Sequence, residues 1–107
     1  MLYKFKSKAA GDLIMLEPNG RKLLQVIGKD PGPTGIILTG QMAEAISALQ
    51  RAVEQEESER QAAVDAAAAE GKTPPKGPDV SLRQRAAPMI DMLRRCLKEN
   101  EEIVWGV

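Results

Sequence analysis

The stretch Ser81-Leu82-Arg83-Gln84-Arg85-Ala86-Ala87-Pro88-Met89-Ile90-Asp91-Met92-Leu93-Arg94-Arg95-Cys96-Leu97-Lys98-Glu99-Asn100, followed by Glu101-Glu102-Ile103-Val104-Trp105-Gly106-Val107, decides the fold. Ser81 and Gln84 have the spacing of a capping box, in which the hydroxyl accepts from the Gln84 N–H and the Gln84 side chain reaches back to the Ser81 N–H. At about 100° per residue, Leu82, Ala86, Met89, Ile90, Leu93, Cys96 and Leu97 fall in one arc about 120° wide. Arg83, Gln84, Asp91, Arg94, Arg95 and Lys98 lie outside it. Pro88 removes one hydrogen bond but projects toward solvent, so a bend is expected there and not a break. Asn100 ends the helix. Ile103 to Val107 then reads as a strand with Ile103, Trp105 and Val107 on one face.

The rest of the chain supplies partners for this unit. Met1 to Ser7 alternates, with Tyr3 and Phe5 on one side and Lys4 and Lys6 on the other, joined by Lys8. This is a half-buried strand with a basic outer face. That face serves either as an anion-facing strip or, as we prefer, as a solvated face or an edge protected by lysines. The three aromatic side chains, Tyr3, Phe5 and Trp105, all sit in the terminal strands, which predicts that the chain ends meet in one aromatic cluster. A turn over Ala9 to Asp12 leads to a second, more buried strand, Leu13 to Leu16.

Asn19-Gly20 is a hairpin signal. However, Leu23, Leu24 and Ile27 recur at helical spacing, Pro18 suits a first turn and Gly28 a C-terminal stop, so a short helix over 18–27 is expected. Lys29 to Gly35 is a proline- and glycine-rich loop. Ile36-Ile37-Leu38 forms either a short strand or a staple for the helix that Thr39 would cap. That helix shows Met42, Ile46, Leu49 and Val53 on one face, after which Glu56, Glu57 and Arg60 take over. Core contact should therefore end near Val53, with Glu56 and Arg60 at pairing distance along the helix. The sequence stays helix-friendly to Ala69, and a solvated, fraying extension is expected there. Gly71 to Asp79 reads as a flexible linker.

The expected architecture is α+β in one domain, 1–107. A small antiparallel sheet of Met1–Ser7, Leu13–Leu16 and Ile103–Val107 has its first strand central and the C-terminal strand beside it. About three helices, near 18–27, 40–60 and 82–99, cover one face, with a mobile extension and linker over 60–79. Two sheet edges stay open, with the second face a further candidate, which makes a homodimer an expected arrangement.

Composition excludes several chemistries. Fifteen basic residues balance fifteen acidic ones, and there is no histidine. Nucleic-acid binders usually carry a basic excess, so that class is disfavoured. Without histidine, Ser-His-Asp triads, zinc fingers and histidine-ligated metalloproteases are ruled out. The one cysteine, Cys96, cannot form an internal disulfide and sits at the edge of the apolar arc, where a structural role is expected. Gly71-Lys72-Thr73 resembles the end of a phosphate loop but lacks the first glycine and the strand before it. No segment has the length of a membrane span or a signal peptide's apolar region, so a cytoplasmic protein is expected.

No catalytic residue, metal ligand or cofactor emerges. The candidate binding residues are Arg83, Arg94 and Lys98, on one flank of the last helix, suited to a phosphate or an acidic partner. Asp91, three and four residues before Arg94 and Arg95, argues for a solvated face instead.

Taken together, Met1 to Ser7, Gly11 to Arg21, Ser81 to Ala86, Ile90 to Arg95 and Val104 to Val107 resemble a family of small bacterial proteins known only as a domain of unknown function. The resemblance covers most of the chain apart from the alanine- and glutamate-rich extension and its linker. It implies a bacterial cytoplasmic protein and assigns no site. The functional expectation is an interaction or regulatory module that binds a protein partner or itself. The alternatives are weak nucleic-acid or anion binding through Lys4, Lys6, Lys8 and the helix arginines, and a small-molecule enzyme using carboxylates.

Overall fold

The computed structural model describes residues 2–74 and 81–106. Its elements are β1 (Leu2–Ser7), β2 (Ala10–Leu16), α1 (Glu17–Val26), β3 (Gly35–Ile37), α2 (Thr39–Ala69), α3 (Leu82–Glu99) and β4 (Ile103–Trp105). The four strands form one antiparallel sheet in the order β2-β1-β4-β3. The α+β architecture and the interior position of β1 are as the sequence predicts. Ile36 and Ile37 belong to a strand and not to a staple. It pairs outside β4, which makes the C-terminal strand interior too.

The sheet register places the aromatics. Phe5 lies opposite Trp105, and Tyr3 is two residues along β1 on the same face. Phe5 stacks on Tyr3 with centroids 6.0 Å apart and meets Trp105 at 5.9 Å with tilted rings. The polar tips of two of these side chains reach one loop. The Tyr3 hydroxyl donates to the Pro31 carbonyl at 2.9 Å, and the Trp105 Nε1–H donates to the Gly32 carbonyl at 3.1 Å. The proline-glycine loop is thus fastened to the cluster that joins the chain ends.

All three helices contribute to one core with this face of the sheet: Leu23 and Leu24 from α1, Met42, Leu49 and Val53 from α2, and Leu82, Ala86, Met89, Met92, Leu93 and Cys96 from α3. No polar or charged residue is buried among the described residues. The 18–27 region is helical, over Glu17–Val26, with Pro18 in its first turn, and Gly20 faces Tyr3 so closely that a Cβ would enter its ring. The α1 terminus closes with Lys29 N–H on the Leu24 carbonyl (2.8 Å) and Gly28 N–H on the Gln25 carbonyl (3.1 Å). The same pattern ends α3 at Asn100 (φ 55°). The Ser81–Gln84 capping box is present in both directions, at 3.2 and 3.0 Å. Helix α3 runs unbroken through Pro88, which is exposed.

Several expectations are corrected. The turn falls at Lys8 and Ala9, so β2 begins earlier, at Ala10. It is not the more buried strand, because Ile14 and Leu16 are 54% and 61% exposed. The lysines do not guard an edge, since β1 is paired on both sides. Leu38, not Thr39, takes the cap position of α2. The Gln41 side chain accepts from the Leu38 N–H at 3.0 Å, so a hydroxyl is not required there.

Helix α2 continues past 60 to Ala69, although its core contact does end at Val53, as the apolar spacing predicts. Gln55–Glu59 and Gln61–Asp65 side-chain hydrogen bonds, both 2.9 Å, support the extension locally. At about 1.5 Å per residue α2 accounts for most of the 52 Å long axis. Residues 75–80 of the expected linker, and Val107 of the expected last strand, lie outside the described residues.

Glycine at 35 is a packing requirement, because a Cβ there would fall inside the Trp105 ring. Gly11→Ala, by contrast, meets nothing within 4 Å, and its φ is not positive. Gly35→Ala is expected to lower stability by about 1–3 kcal/mol, whereas Gly11→Ala is expected to be neutral or stabilising by up to about 1 kcal/mol. Urea unfolding followed by Trp105 fluorescence measures both.

Candidate functional site

Two surfaces gather chemistry. One is the groove between α2 and α3, a cavity of about 520 Å³ lined by Gln50, Val53, Glu54, Arg83, Ala87, Ile90, Asp91 and Arg94. Its origin lies in how α3 packs. The buried side chains run from Met92 to Ala86, an arc rotated about 40° from the predicted one at 100° per residue. Met92 is buried in place of Leu97, which is 39% exposed, and Ile90 is only half-buried. The flank carrying Ile90, Arg83 and Arg94 therefore becomes a wall of the groove.

The three candidate residues meet different fates. Arg83 reaches across to α2, its Nε–H donating to Glu57 Oε1 at 2.7 Å and Nη2 to Oε2 at 3.3 Å. One residue earlier, Glu56 Oε1 accepts from the Leu82 N–H at 3.0 Å, satisfying a free donor in the first turn of α3. Arg94 lines the same groove and makes no ion pair or hydrogen bond among the described residues. Lys98 does not line it. It is exposed in the last turn of α3, where a cation complements the helix dipole. Asp91 pairs with Arg95 at 3.2 Å, one of the two local pairings the spacing allowed. The groove's ionised groups, Glu54, Asp91, Arg83 and Arg94, balance in charge, and all four are exposed.

The second surface is the sheet face turned away from the helices. Strand alternation and register put Leu2, Lys4 and Lys6 of β1, Asp12, Ile14 and Leu16 of β2, Val104 of β4 and Ile36 of β3 on it. Leu2 (62% exposed), Ile14, Leu16 and Ile36 (37%) are among the most exposed large apolar side chains. The sequence conceals this patch, because the four apolar residues Leu13 to Leu16 in a row read as a buried strand.

The lysines on this face are interleaved with acids. Lys4 Nζ lies 3.5 Å from Asp12 Oδ2. Lys6 and Lys8 share a shallow depression of about 180 Å³ with Glu101 and Glu102. Elsewhere, Glu17 raises the Arg21 guanidinium above its ordinary value, first through the 2.9 Å hydrogen bond from Arg21 Nε–H. Arginine is charged at any physiological pH regardless, so this changes no titration of consequence. Cys96 is free and fully buried, as expected of a structural cysteine. Among the described residues no three of Cys, Asp or Glu cluster as a metal site, and no helix is long and apolar enough to cross a membrane.

The described residues form a two-layer α+β fold with three helices on one face of a four-stranded sheet and, among those residues, nothing on the other. The chain belongs to the DUF1840 family, a domain of unknown function, whose sequence profile matches residues 1–105. No curated protein and no solved structure matches it.

The Arg83–Glu57 pair is solvent-exposed, so a double-mutant cycle with alanine at both positions is expected to give a coupling below about 1 kcal/mol, weakening further in about 1 M salt. Arg94→Ala is expected to change stability by less than about 0.5 kcal/mol. Urea titrations of the four variants read both values.

Proposed function

We propose that this protein is a small interaction module of the bacterial cytoplasm and that the open sheet face is its working surface. One observation carries the reading: Leu2, Ile14 and Leu16 are exposed side by side on β1 and β2, with Ile36 further across the same face, which no element of the chain covers among the described residues. Scattered exposed apolar residues are ordinary, but a cluster on one sheet face is characteristic of a surface that another protein buries. The free buried cysteine and the family resemblance support a reducing, bacterial setting.

The alternative of nucleic-acid binding loses support from the acids set among Lys4, Lys6 and Lys8, which leave no uncompensated cationic strip. The enzyme alternative gains a groove with polar walls, but the ionisable side chains that line it, Glu54, Arg83, Asp91 and Arg94, are all exposed. Arg94 favours one further reading, an anionic group held in the groove, since its guanidinium has no partner there.

The test sets the two surfaces against each other. The protein is immobilised as bait in a bacterial lysate, and the retained protein is compared across variants checked for fold by circular dichroism. The double variant Leu2→Ser/Leu16→Ser is expected to lose at least about tenfold of the specific capture, equivalent to about 1.4 kcal/mol. The triple variant Arg83→Ala/Arg94→Ala/Lys98→Ala is expected to retain it. Loss confined to the triple variant transfers the function to the helical flank, and unchanged capture by both variants overturns the proposal.

A further inference from the structure

We propose that the occupant of this surface is a second copy of the chain, packed face to face so that the two open sheet faces cover each other. This deepens the interaction-module reading and rests on it.

The edges of the sheet do not invite a partner. β3 is three residues long and follows the Pro31–Pro33 loop. On the other edge, the pairing of β2 with β1 slips between Phe5–Leu13 and Ser7–Ala10, so Gly11 and Asp12 together oppose Lys6. A bulge that carries a charged side chain blunts an edge strand. Beyond it, Ala10 packs against the core. What still calls for a cover is the face.

The register arranges that face in rows: Leu2 beside Leu16, Lys4 beside Ile14, and Lys6 beside Asp12 at the bulge. Sheets that pack face to face keep their strands within about 30° of each other. A two-fold axis lying in the interface, along the strands and between β1 and β2, sets β1 of each copy over β2 of the other and keeps the rows in step. Leu2 then meets the second copy's Leu16, and Lys6 meets its Asp12. Lys4 lays its aliphatic stem along the second copy's Ile14, while its ammonium stays 3.5 Å from its own Asp12. An axis along β1 would instead set Lys4 on Lys4 and Lys6 on Lys6. An axis across the strands at the Ile14 row would set Lys4 on Lys4 and Leu16 on Asp12. Of these three arrangements, only the first matches the face to itself.

Charge favours a copy over an unlike partner. The Lys6 ammonium is half-buried and makes no ion pair or hydrogen bond among the described residues, so the second copy's Asp12 would supply an acid its own chain does not. Across the face and its rim, Lys4, Lys6 and Lys8 balance Asp12, Glu101 and Glu102. The whole chain has a net charge of zero, so two copies approach without mutual repulsion. Ile36, two strands away from β1, stays outside the overlap. Three rows on two strands make a small interface, so the association is expected to be weak and concentration-dependent.

Sedimentation equilibrium of the purified full chain, from about 10 µM to about 1 mM, is expected to show the mass rising from 11.6 kDa toward twice that value. Leu16→Glu and Lys6→Glu are each expected to weaken the dimer at least tenfold, the second by setting a carboxylate against the second copy's Asp12. The exchanged pair Lys6→Glu/Asp12→Lys is expected to recover most of the loss, and Ile36→Glu to leave the dimer unchanged. Circular dichroism checks that each variant is folded. A wild type that stays monomeric at about 1 mM overturns the proposal. So does a dimer that survives Leu16→Glu, an exchanged pair that recovers nothing, or loss with Ile36→Glu. If the chain is monomeric while bait capture remains sensitive to Leu2 and Leu16, self-association fails and the interaction module stands. If capture is absent as well, both fail.

Discussion

The structure depends on the contact between the two ends of the chain, where Phe5 lies opposite Trp105 with Tyr3 stacked behind it. Nearly the whole chain is closed into a loop by that pairing, and closing so long a loop carries an entropic cost. Aromatic burial offsets it, each ring bringing a large apolar area and each pair about 0.5–1.5 kcal/mol beyond that area. The consequences spread outward from the rings. Gly20 and Gly35 have no room for a Cβ because Tyr3 and Trp105 occupy it. The Pro31 and Gly32 carbonyls, which would otherwise depend on water, accept from the same two side chains. With that loop anchored, β3 is delivered to the outer side of β4, and α2 starts directly over the core.

The periodic features were legible in the sequence because they follow from local chemistry. The Ser81 box, the stop at Asn100, the aromatic cluster and the end of core contact at Val53 each follow from residue type at fixed spacing. The errors arose where a neighbour remote in sequence decides the outcome. Leu13 to Leu16 contains four apolar residues in a row, and a run of that kind does not reveal whether one face or both are covered. In the fold only one face of β2 is covered among the described residues, so Leu13 and Met15 pack while Ile14 and Leu16 do not. Likewise α3 carries more apolar side chains than one 120° arc accommodates, and the choice of Met92 over Leu97 was made by tertiary packing. Arg83 found Glu57, twenty-six residues upstream, a partner that no spacing rule identifies.

Glu56 and Glu57 also give a physical reason for α2 to outlast its apolar stripe. Beyond Val53 the helix no longer contributes side chains to the core, yet its next turn receives the first N–H of α3 and the Arg83 guanidinium. An unsatisfied helix donor is costly wherever water is displaced, so a carboxylate at that place steadies the start of α3. The rotation of α3 and the groove beside it follow from this mooring together with the sheet contact beneath. The groove is in that sense a by-product of how two helices are joined, and Arg83 belongs first to the joint.

That distinction separates the two candidate surfaces. In the groove and along its flank, most charged side chains have a structural account: Arg83 holds Glu57, Asp91 holds Arg95, and Lys98 sits at a helix C-terminus. Arg94 and Glu54 are left over, opposite in sign, and two exposed side chains of opposite charge are weak ground for a site. On the outer sheet face the balance is reversed. Leu2, Ile14 and Leu16 contribute nothing to the core, and water contacts more than half of each. Folding alone would accept polar residues at all three positions. Their apolar character is unaccounted for by anything within the chain, whereas burial by a second molecule would account for it. The lysine–acid pairs between them fit the same reading, since matched charges at a seam orient a partner and discourage wrong ones without demanding a charged ligand.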